Sequence, residues 1–467
     1  MTDLAWTPAT ELQQMIRAKT LSPVELTRAV LERIERLNRT LNAFCTVTAE
    51  IAMDEARQAE RALMAGERLG PLHGIPYSIK DLTVTRGVRT MGGSRVYEHR
   101  VPDTDAPIVR RLRAAGGIMI GKTTTPEFGW KAIGDSPLTG ITRNPWNPGM
   151  TTGGSSAGAG AAAAAGLGVL HQGSDGAGSI RVPAAFCGVY GLKPSYGRVP
   201  TWPLANNDYV SHPGPMTRTV ADAALMLSVI AGPDEWDRTS LEAVPADYVG
   251  ELRRGIRGLR VAFSPDLGGL RVDPEVARVA SEAVCVFQDL GCAVEEVSPE
   301  FDDTTELIRC LWSAHEAGMY GSLVAQWRER MDPGLVACIE HGRRYGLLEY
   351  LELRGRKLAY WDSVRSLFER YDLLLTPSVS VPAFEVGLLN PAGFPQHEWD
   401  WFPWASFSYP FNFTGQPAAS VPAGFTSAGL PVGLQIVGRR FADLTVLQAS
   451  AAFEEARPWA RHRPRLA

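Results

Sequence analysis

The sequence has no strong excess of either charge and no motif built on paired cysteines. In 467 residues, 47 Lys and Arg stand against 51 Asp and Glu, and the formal net charge is -4. There is no basic block to attract nucleic acid or an anionic membrane surface, so we expect neither partner. The six cysteines show no C-x-x-C pair and no His/Cys ligand spacing. They are predicted to be reduced core thiols of a cytoplasmic protein that uses no metal or other cofactor.

The sequence also lacks the patterns that are typical of export signals and of membrane-spanning segments. The opening MTDLAWTPATEL has no basic region followed by an apolar one, so we expect no signal peptide. The longest run of small apolar residues is too short, and too rich in Ala and Gly, to span a bilayer. What the chain does have is 45% hydrophobic residues, enough for a sizeable core.

Strand-like and helix-like segments alternate, which predicts an α/β class with a mostly buried sheet. Ser22-Pro23-Val24-Glu25 is typical of a helix start, with Ser22 as N-cap, Pro23 in the first position and Glu25 closing a capping box. Asp443 is predicted to cap the last helix. Helices are predicted over 8–37, 49–65, 219–231 and 275–290, mainly helix over 301–371, and strands over 77–82, 259–264, 292–298, 372–377, 418–423 and 432–437.

The most unusual stretch is 151–186, TTGGSSAGAGAAAAAGLGVLHQGSDGAGSIRVPAAF, whose first half has almost no bulky side chain. Glycine is costly to order, so this density indicates unusual dihedrals or close approach of the backbone to a ligand. Small residues around serines leave backbone N–H groups uncovered, as an oxyanion site requires. A flexible linker is the alternative, but the run 161–170 is apolar and leads into buried-looking sequence.

Two nucleotide-binding patterns occur in the chain, and neither has the right context. Gly116–Thr123 satisfies G-x-x-x-x-G-K-[ST], but its variable positions form an apolar β-run instead of a loop around phosphates. Gly158-x-Gly160-x-x-Ala163 matches a loose dinucleotide fingerprint, but no strand precedes it and no acidic partner is evident downstream. We therefore expect no nucleotide site.

Three hydrolytic chemistries remain open. Gly154–Gly158 matches the G-x-S-x-G elbow of serine hydrolases with Ser156 central, but loop sequence precedes it and no histidine has a triad context. Metal-assisted hydrolysis lacks a ligand cluster, because no second His follows His315-Glu316 at helical spacing. The third is a serine nucleophile activated by a lysine, and Lys80 lies in the apolar strand-like segment 77–82.

A lysine with its usual pKa of about 10.4 is protonated at neutral pH and cannot act as a base. Burial beside polar but uncharged serines would lower the pKa of Lys80 by disfavouring its charged form. The alternative for Lys80 is an edge-strand position that reaches solvent. A decayed hydrolase that only binds its ligand is a further possibility.

A resemblance to a known family favours the lysine-activated serine. GIPYSIKDL (74–82), GGSSAGAGAA (153–162), GSDGAGSIRVPAAFCGVYGLKPS (173–195), GPMTRTVADAALML (214–227) and FNFTGQPAASVPAGFTSAGLPVGLQIVGRRFAD (411–443) resemble the amidase signature family. The resemblance covers nearly the whole chain and is weakest over 233–371. It implies a single domain over 1–467: a large mixed sheet covered by helices on both faces, catalytic motifs within 70–230, a more variable and mainly helical 233–371, and a part, 372–467, that completes the sheet and pocket.

The family has a Ser–cis-Ser–Lys triad, and each position has a match here. Ser179 matches the nucleophile, Ser155 the bridging serine that follows a cis peptide bond, and Lys80 the base. The implied oxyanion donors are the N–H groups of Gly176, Ala177 and Gly178, with that of Ser179 as a further candidate. Supporting positions are Ser156, Asp175 and Arg181. The chain departs from the family at Ala177 and Ala157, where glycine is usual, and Ala177 is expected to narrow the acyl pocket slightly.

The resemblance leaves the substrate open. Aromatic residues crowd 393–411, and with Trp130 and Trp202 they suggest an aryl or hydrophobic amide, ester or carbamate (urethane) as the small-molecule substrate; ordinary packing explains them equally well. The pocket candidates are Trp130, Thr152, Trp202, Phe402 and Trp404. The rival function is a glutaminase subunit that supplies ammonia to a tRNA-dependent amidotransferase. A monomer or a homodimer is expected.

Overall fold

The protein is described by a computed structural model over residues 4–204, 210–242 and 247–466. Its α-helices are α1 (Ala9–Arg17), α2 (Pro23–Leu41), α3 (Ala49–Ala65), α4 (Pro107–Ala114), α5 (Ala157–Ala165), α6 (Arg181–Cys187), α7 (Val220–Ile230), α8 (Pro274–Asp289), α9 (Thr305–Tyr320), α10 (Val324–Trp327), α11 (Pro333–Gly342), α12 (Leu347–Arg370), α13 (Pro410–Phe413) and α14 (Asp443–Ala456). Its strands are β1 (Phe44–Val47), β2 (Pro76–Lys80), β3 (Ile118–Thr123), β4 (Asp135–Ser136), β5 (Gly140–Ile141), β6 (Leu170–Asp175), β7 (Tyr190–Lys193), β8 (His212–Thr217), β9 (Arg260–Phe263), β10 (Ala293–Glu296), β11 (Leu373–Pro377), β12 (Ala418–Phe425) and β13 (Pro431–Gly438).

One mixed sheet of 11 strands runs through the molecule in the order β1-β3-β2-β6-β8-β7-β12-β13-β11-β9-β10. Both faces of its central strands are buried, as the continuous apolar run of β11 shows. Leu373 and Leu375 pack into one hydrophobic cluster and Leu374 into another on the opposite face. Helices cover both faces, so the predicted α/β class with a large, mostly buried mixed sheet is confirmed.

The parallel pairing of β2 with its neighbours positions the site. β2 lies between β3 and β6 and runs parallel to both, so it is an interior strand. Lys80 ends β2 and is fully buried, which rules out the edge position that reaches solvent. Because the carboxyl ends of parallel strands meet at one edge of the sheet, Lys80 comes close to the end of β6, where the loop to Ser179 begins.

Two local predictions, the cap at Ser22 and the strand at 116–123, are confirmed, and the helix predicted over 8–37 is corrected. Ser22 caps α2 by accepting hydrogen bonds from the backbone N–H groups of Val24 and Glu25. The run that mimics a phosphate loop is the fully buried strand β3. The predicted helix 8–37 is two helices, α1 and α2, since the chain turns between Arg17 and Pro23. In the part of the chain that the structure describes, no helix combines the length and apolarity that a bilayer crossing needs.

The cap predicted at Asp443 is wrong. Ala442 is the N-cap of α14, and Asp443 is the first residue inside that helix. Its buried carboxylate turns inward and accepts hydrogen bonds from Ser195 N at 2.7 Å and Ser195 Oγ at 2.8 Å. A tertiary partner therefore outcompetes the local backbone for this side chain.

Candidate active site

Lys80 and Ser155 are in direct contact inside the protein. Lys80 Nζ lies 2.7 Å from Ser155 Oγ and 3.1 Å from Ser174 Oγ, the hydroxyl of a serine at the end of β6. Burial lowers the pKa of Lys80 to about 7, although the charge of Asp175 opposes the shift. The partners of the amine are neutral hydroxyls, so little offsets the loss of solvation by the charged form. This lysine can therefore accept a proton near neutral pH.

Ser155 is on the loop that precedes α5, and only 3% of it is exposed. The peptide bond between Gly154 and Ser155 is cis, as the family resemblance implies for this position. The preceding Gly153 has a φ of +71°, a conformation that favours glycine. The loop is followed directly by α5 and no strand leads into it, so this local structure is not that of a nucleophile elbow at Ser156.

Ser179 lies on the turn between β6 and α6, and it is 4% exposed. Its backbone carbonyl accepts a hydrogen bond from Ser156 N at 3.1 Å, which ties the Ser179 turn to the loop of Ser155. Ser156 Oγ bonds Ser174 O at 3.1 Å and Ser174 N at 3.2 Å. Ser156 thus joins the two loops and leaves the contact with Lys80 to Ser155.

The oxyanion candidates divide into two groups. The N–H of Gly178 donates to Asp175 Oδ1 at 2.7 Å and is therefore already paired, so the structure does not support it as a donor. The N–H groups of Gly176, Ala177 and Ser179 make no hydrogen bond within the described ranges. Gly178 instead shapes the turn, because its φ of +114° is a conformation that suits glycine.

Asp175 and Arg181 form a fully buried ion pair beneath this turn. Arg181 Nη2 lies 2.8 Å from Asp175 Oδ1, and Arg181 Nε lies 2.9 Å from Asp175 Oδ2. Burial alone would raise the pKa of the Asp175 carboxyl, but the Arg181 charge and hydrogen bonds hold it well below its ordinary value. An ion pair joined by two parallel hydrogen bonds fixes the orientation of both side chains.

Three residues nearer the C-terminus bind the guanidinium of this pair, and no role for them is predicted from the sequence. Arg181 Nη1 donates to Ser408 O at 2.8 Å and to Gln435 Oε1 at 2.7 Å, and Arg181 Nη2 donates to Asn412 Oδ1 at 2.6 Å. Asn412 and Gln435 lie in the stretch 411–443 that carries the family resemblance, so that motif was the available signal. No comparable signal marks the carbonyl of Ser408.

A tryptophan-rich loop lies against the other side of Ser155. A Cβ placed on Gly129 would lie 3.2 Å from Ser155 Oγ, so the backbone at 129 passes close to that hydroxyl. The next residue, Trp130, accepts two indole hydrogen bonds at its carbonyl, from Trp312 Nε1 at 2.9 Å and Trp401 Nε1 at 3.0 Å. Trp130 is thus buried near the site, and its loop is held from two distant parts of the chain.

Trp312, on α9, was missed because nothing in the charged helical sequence around it marks a site. Its ring would lie 3.3 Å from a Cβ on Gly176, at the start of the turn that leads to Ser179. Phe402 packs edge-on against Trp312, with ring centroids 5.9 Å apart. Trp130 and Phe402 are therefore both linked to the Ser179 turn through Trp312.

The remaining pocket candidates differ in position. Trp404 stacks on Phe186 at 6.0 Å and is fully buried. Thr152 is fully buried, and its Oγ1 donates to Gly153 O at 2.9 Å. Trp202 packs instead against Trp236 at 4.9 Å and belongs to the hydrophobic cluster on the other face of the sheet. The structure therefore does not group Trp202 with the aromatic residues of the site.

Comparison with known proteins identifies the family. A family model described as Amidase matches residues 25–447. This chain belongs to the amidase signature family. It resembles the acylamidase of Rhodococcus erythropolis, with 40% identity over 472 residues that cover 99% of this chain and 98% of that protein. It also resembles a glutamyl-tRNA(Gln) amidotransferase subunit of Moorella thermoacetica, with 38% identity over 496 residues and 99% coverage of each chain.

Solved structures agree with the family assignment. The crystal structure of a bacterial aryl acylamidase of the amidase signature family superimposes with a TM-score of 0.92 at 31% identity, covering 98% of this chain and 97% of that one. This amidase signature protein is accordingly a hydrolase of the amide-cleaving class.

Proposed function

We propose that the protein hydrolyses the C–N bond of amides with aryl or hydrophobic substituents through an acyl-enzyme on Ser179. The observation that carries the proposal is the 2.7 Å contact between the buried Lys80 Nζ and Ser155 Oγ. An amine with a pKa of about 7 is partly neutral at physiological pH, and a neutral amine can act as general base.

In the proposed mechanism, neutral Lys80 takes the proton of Ser155 Oγ while Ser155 takes that of Ser179 Oγ. Ser179 Oγ attacks the carbonyl carbon, and a negative charge develops on the carbonyl oxygen. The relay then gives the proton to the leaving nitrogen, the C–N bond breaks, and the amine departs. Water repeats the path on the acyl-enzyme and releases the acid and free Ser179.

The oxyanion is stabilised in this proposal by the N–H groups of Gly176, Ala177 and Ser179. Each of these donors is unpaired within the described residues, whereas Gly178 N donates to Asp175. Ala177 keeps the donor that glycine would supply at this position. Donors fixed in place before the reaction stabilise a developing charge without reorganising, which is the largest contribution in many acyl-transfer enzymes.

The aromatic environment supports an aryl or hydrophobic substrate. Trp312 lies beside the turn that carries the oxyanion donors, Phe402 packs against Trp312, and the carbonyl of Trp130 accepts a hydrogen bond from the Trp312 indole. Flat apolar walls favour flat or apolar substituents through burial and ring contacts. The similarity to an acylamidase and to an aryl acylamidase structure supports the same substrate class. Esters and carbamates are further candidate substrates, because the same relay can protonate an oxygen leaving group.

Ammonia supply to a tRNA-dependent complex is the alternative, and the 38% identical amidotransferase subunit favours it. The two functions differ in what the purified protein does alone. The test is hydrolysis of acyl p-nitroanilides, phenyl esters, carbamates and glutamine by the wild type, by Ser179→Ala and by Ser281→Ala, a control at an exposed serine of α8.

The proposal predicts anilide hydrolysis that Ser179→Ala abolishes and Ser281→Ala leaves intact. Glutamine hydrolysis without any anilide hydrolysis would contradict it and support the amidotransferase function. Anilide hydrolysis that survives in Ser179→Ala would support the proposed reaction but contradict the proposal that Ser179 is the nucleophile.

A further inference from the structure

The hydroxyl of Ser408 lies against the turn that carries the candidate oxyanion donors. Ser408 is fully buried, and its Oγ lies 2.8 Å from the backbone carbonyl oxygen of Ala177. A Cβ placed on Gly178 would lie 2.6 Å from Ser408 Cβ, which is closer than two carbon atoms approach without a bond between them. The side chain of Ser408 therefore fills the space that a side chain at position 178 would need.

The proton of this hydroxyl has two carbonyl acceptors within reach. Ser408 Oγ also lies 2.8 Å from Ala405 O, but that oxygen already accepts the N–H of Ser408 at 3.1 Å. Within the described ranges, Ser408 Oγ is the single donor to the buried carbonyl of Ala177. A buried acceptor without any donor costs its full desolvation, a cost that a carbonyl with one bond already avoids. The proton of Ser408 is therefore expected on the side of Ala177.

The peptide unit between Ala177 and Gly178 is bonded at both ends. Its oxygen accepts from Ser408 Oγ, and its N–H donates to Asp175 Oδ1 at 2.7 Å. A peptide unit is planar, so two bonds on opposite sides fix its plane. The N–H groups of Ala177 and Ser179 belong to the peptide units directly before and after this one. Their directions therefore depend on how firmly the middle unit is held.

Ser408 is itself held by the buried ion pair beneath the turn. Arg181 Nη1 donates to Ser408 O at 2.8 Å, and Arg181 Nη2 lies 2.8 Å from Asp175 Oδ1. The bonds therefore run in a closed circuit from Arg181 to Ser408, through the turn to Asp175 and back to Arg181. All of these residues are fully buried, so water does not compete for their hydrogen bonds.

We infer that Ser408 is a positioning residue that orients the N–H groups of Ala177 and Ser179 toward the developing oxyanion. The inference rests on the proposed function, because it concerns the same reaction. In this role Ser408 neither touches the reacting atoms nor carries a proton in the relay. The negative charge that these donors stabilise exists only after attack on the carbonyl carbon. Loss of the Ser408 hydroxyl should therefore slow the reaction without weakening the binding of the intact amide.

The kinetics of acyl p-nitroanilide hydrolysis test the inference. Ser408→Ala should lower kcat about 10- to 100-fold, which is less than the loss caused by removing a whole oxyanion donor. KM should stay within about threefold of the wild-type value, since the affected bonds form only in the transition state. Ser406→Ala is the matched control in the same loop. Ser406 Oγ bonds Phe402 O at 3.1 Å and Pro403 O at 3.0 Å, so its loss should leave kcat unchanged.

An aryl trifluoromethyl ketone separates the oxyanion from the intact amide. Ser179 Oγ adds to the ketone carbon, its proton passes to the relay of Ser155 and Lys80, and the carbonyl oxygen becomes an oxyanion. Ser408→Ala should weaken inhibition by the ketone by the same factor as it lowers kcat. The Kd of the intact anilide, measured by calorimetry in Ser179→Ala, should be the same with and without Ser408→Ala.

Ser408→Thr keeps the hydroxyl and should retain more of kcat than Ser408→Ala. Circular dichroism identifies the folded variants. The inference would be overturned by equal losses of kcat and anilide affinity in Ser408→Ala, by unchanged affinity for the ketone, by an equal loss in Ser406→Ala, or by a folded Ser408→Thr as slow as Ser408→Ala. A wild type that hydrolyses no anilide would overturn the proposed function and the inference together. Wild-type hydrolysis that Ser408→Ala leaves unchanged would overturn the inference alone.

Discussion

The ionisation of Lys80 gives the most direct quantitative prediction. Burial lowers its pKa from 10.5 to about 7. The shift corresponds to about 5 kcal/mol at 1.36 kcal/mol per unit. At pH 7 about half of the lysines are then neutral, which is about 1,500-fold more than at the ordinary pKa. Because the neutral form is the base, kcat/KM for an anilide should fall about tenfold per pH unit below pH 6 and level off above pH 8.

The fall of kcat/KM at low pH is called here the acidic limb of the profile. Ser174→Asp tests whether this limb reports the ionisation of Lys80. Ser174 Oγ lies 3.1 Å from Lys80 Nζ, so an aspartate there would place a carboxylate beside the amine. An opposite charge at that distance raises the pKa of a lysine by about 1–3 units. The low-pH fall of kcat/KM should move to higher pH by that amount, and kcat/KM at pH 7 should drop by about 5- to 500-fold and recover at alkaline pH.

Ser174→Ala is the matched control, because it removes the hydroxyl without adding charge and should leave the limb near pH 7. The assay is the pH dependence of kcat/KM for one acyl p-nitroanilide in all three proteins. A loss in Ser174→Asp that is equal at every pH would refute the assignment of the limb to Lys80. A wild-type limb near pH 10 would refute the lowered pKa itself.

Three further predictions concern the nucleophile, its support and the pocket. Ser179→Ala should lower kcat for an anilide at least about 1,000-fold while the circular dichroism spectrum stays that of the wild type. Arg181→Met leaves the buried Asp175 carboxylate unpaired and should lower the free energy of unfolding by about 3–5 kcal/mol in urea denaturation, a loss that adding Asp175→Asn partly reverses. Trp312→Ala should raise kcat/KM for long-chain relative to acetyl anilides about tenfold, as expected for one removed contact group in an apolar pocket, whereas Trp236→Ala leaves the ratio unchanged.

Each of these predictions has a clear contrary result. Turnover that survives in Ser179→Ala would direct attention to Ser156, the centre of the elbow-like motif. No gain on adding Asp175→Asn to Arg181→Met would mean that the guanidinium supports the fold through Ser408, Asn412 and Gln435 more than through the carboxylate. An unchanged chain-length profile in Trp312→Ala would remove that residue from the pocket wall.

Much of the fold could be predicted from the sequence, because the segments involved carry local signals. α3, β3, β9, α8 and β10 appear close to where periodicity and turn residues place them. Asp443 shows the limit of this reasoning. Its position suits a cap, but its carboxylate binds Ser195, a residue that only the tertiary structure brings near. Local patterns predict local hydrogen bonds, and a distant partner overrides them.

In the candidate site too, some residues could be predicted from local motifs, whereas others depend on the tertiary structure. Lys80, Ser155 and Ser179 could be proposed as the triad through motifs, and the contact between Lys80 and Ser155 fits the proton relay that the family resemblance implies. The pairing of Gly178 N with Asp175 could not be foreseen, since it depends on how a turn of small residues folds back on the preceding strand. Trp312 could not be foreseen either, because its position follows from the packing of α9 against the Ser179 turn.

The partners of Arg181 also determine when during synthesis this site can form. Its acceptors at Ser408, Asn412 and Gln435 lie 227 to 254 residues later in the chain. The sheet itself passes from its first half to its second through the pairing of β7 with β12. On the ribosome, the turn that carries Ser179 therefore emerges long before the groups that fix it. An incomplete chain holds a guanidinium that lacks these three acceptors, so the full set of Arg181 hydrogen bonds can form only after β13, the last strand along the chain, has been made.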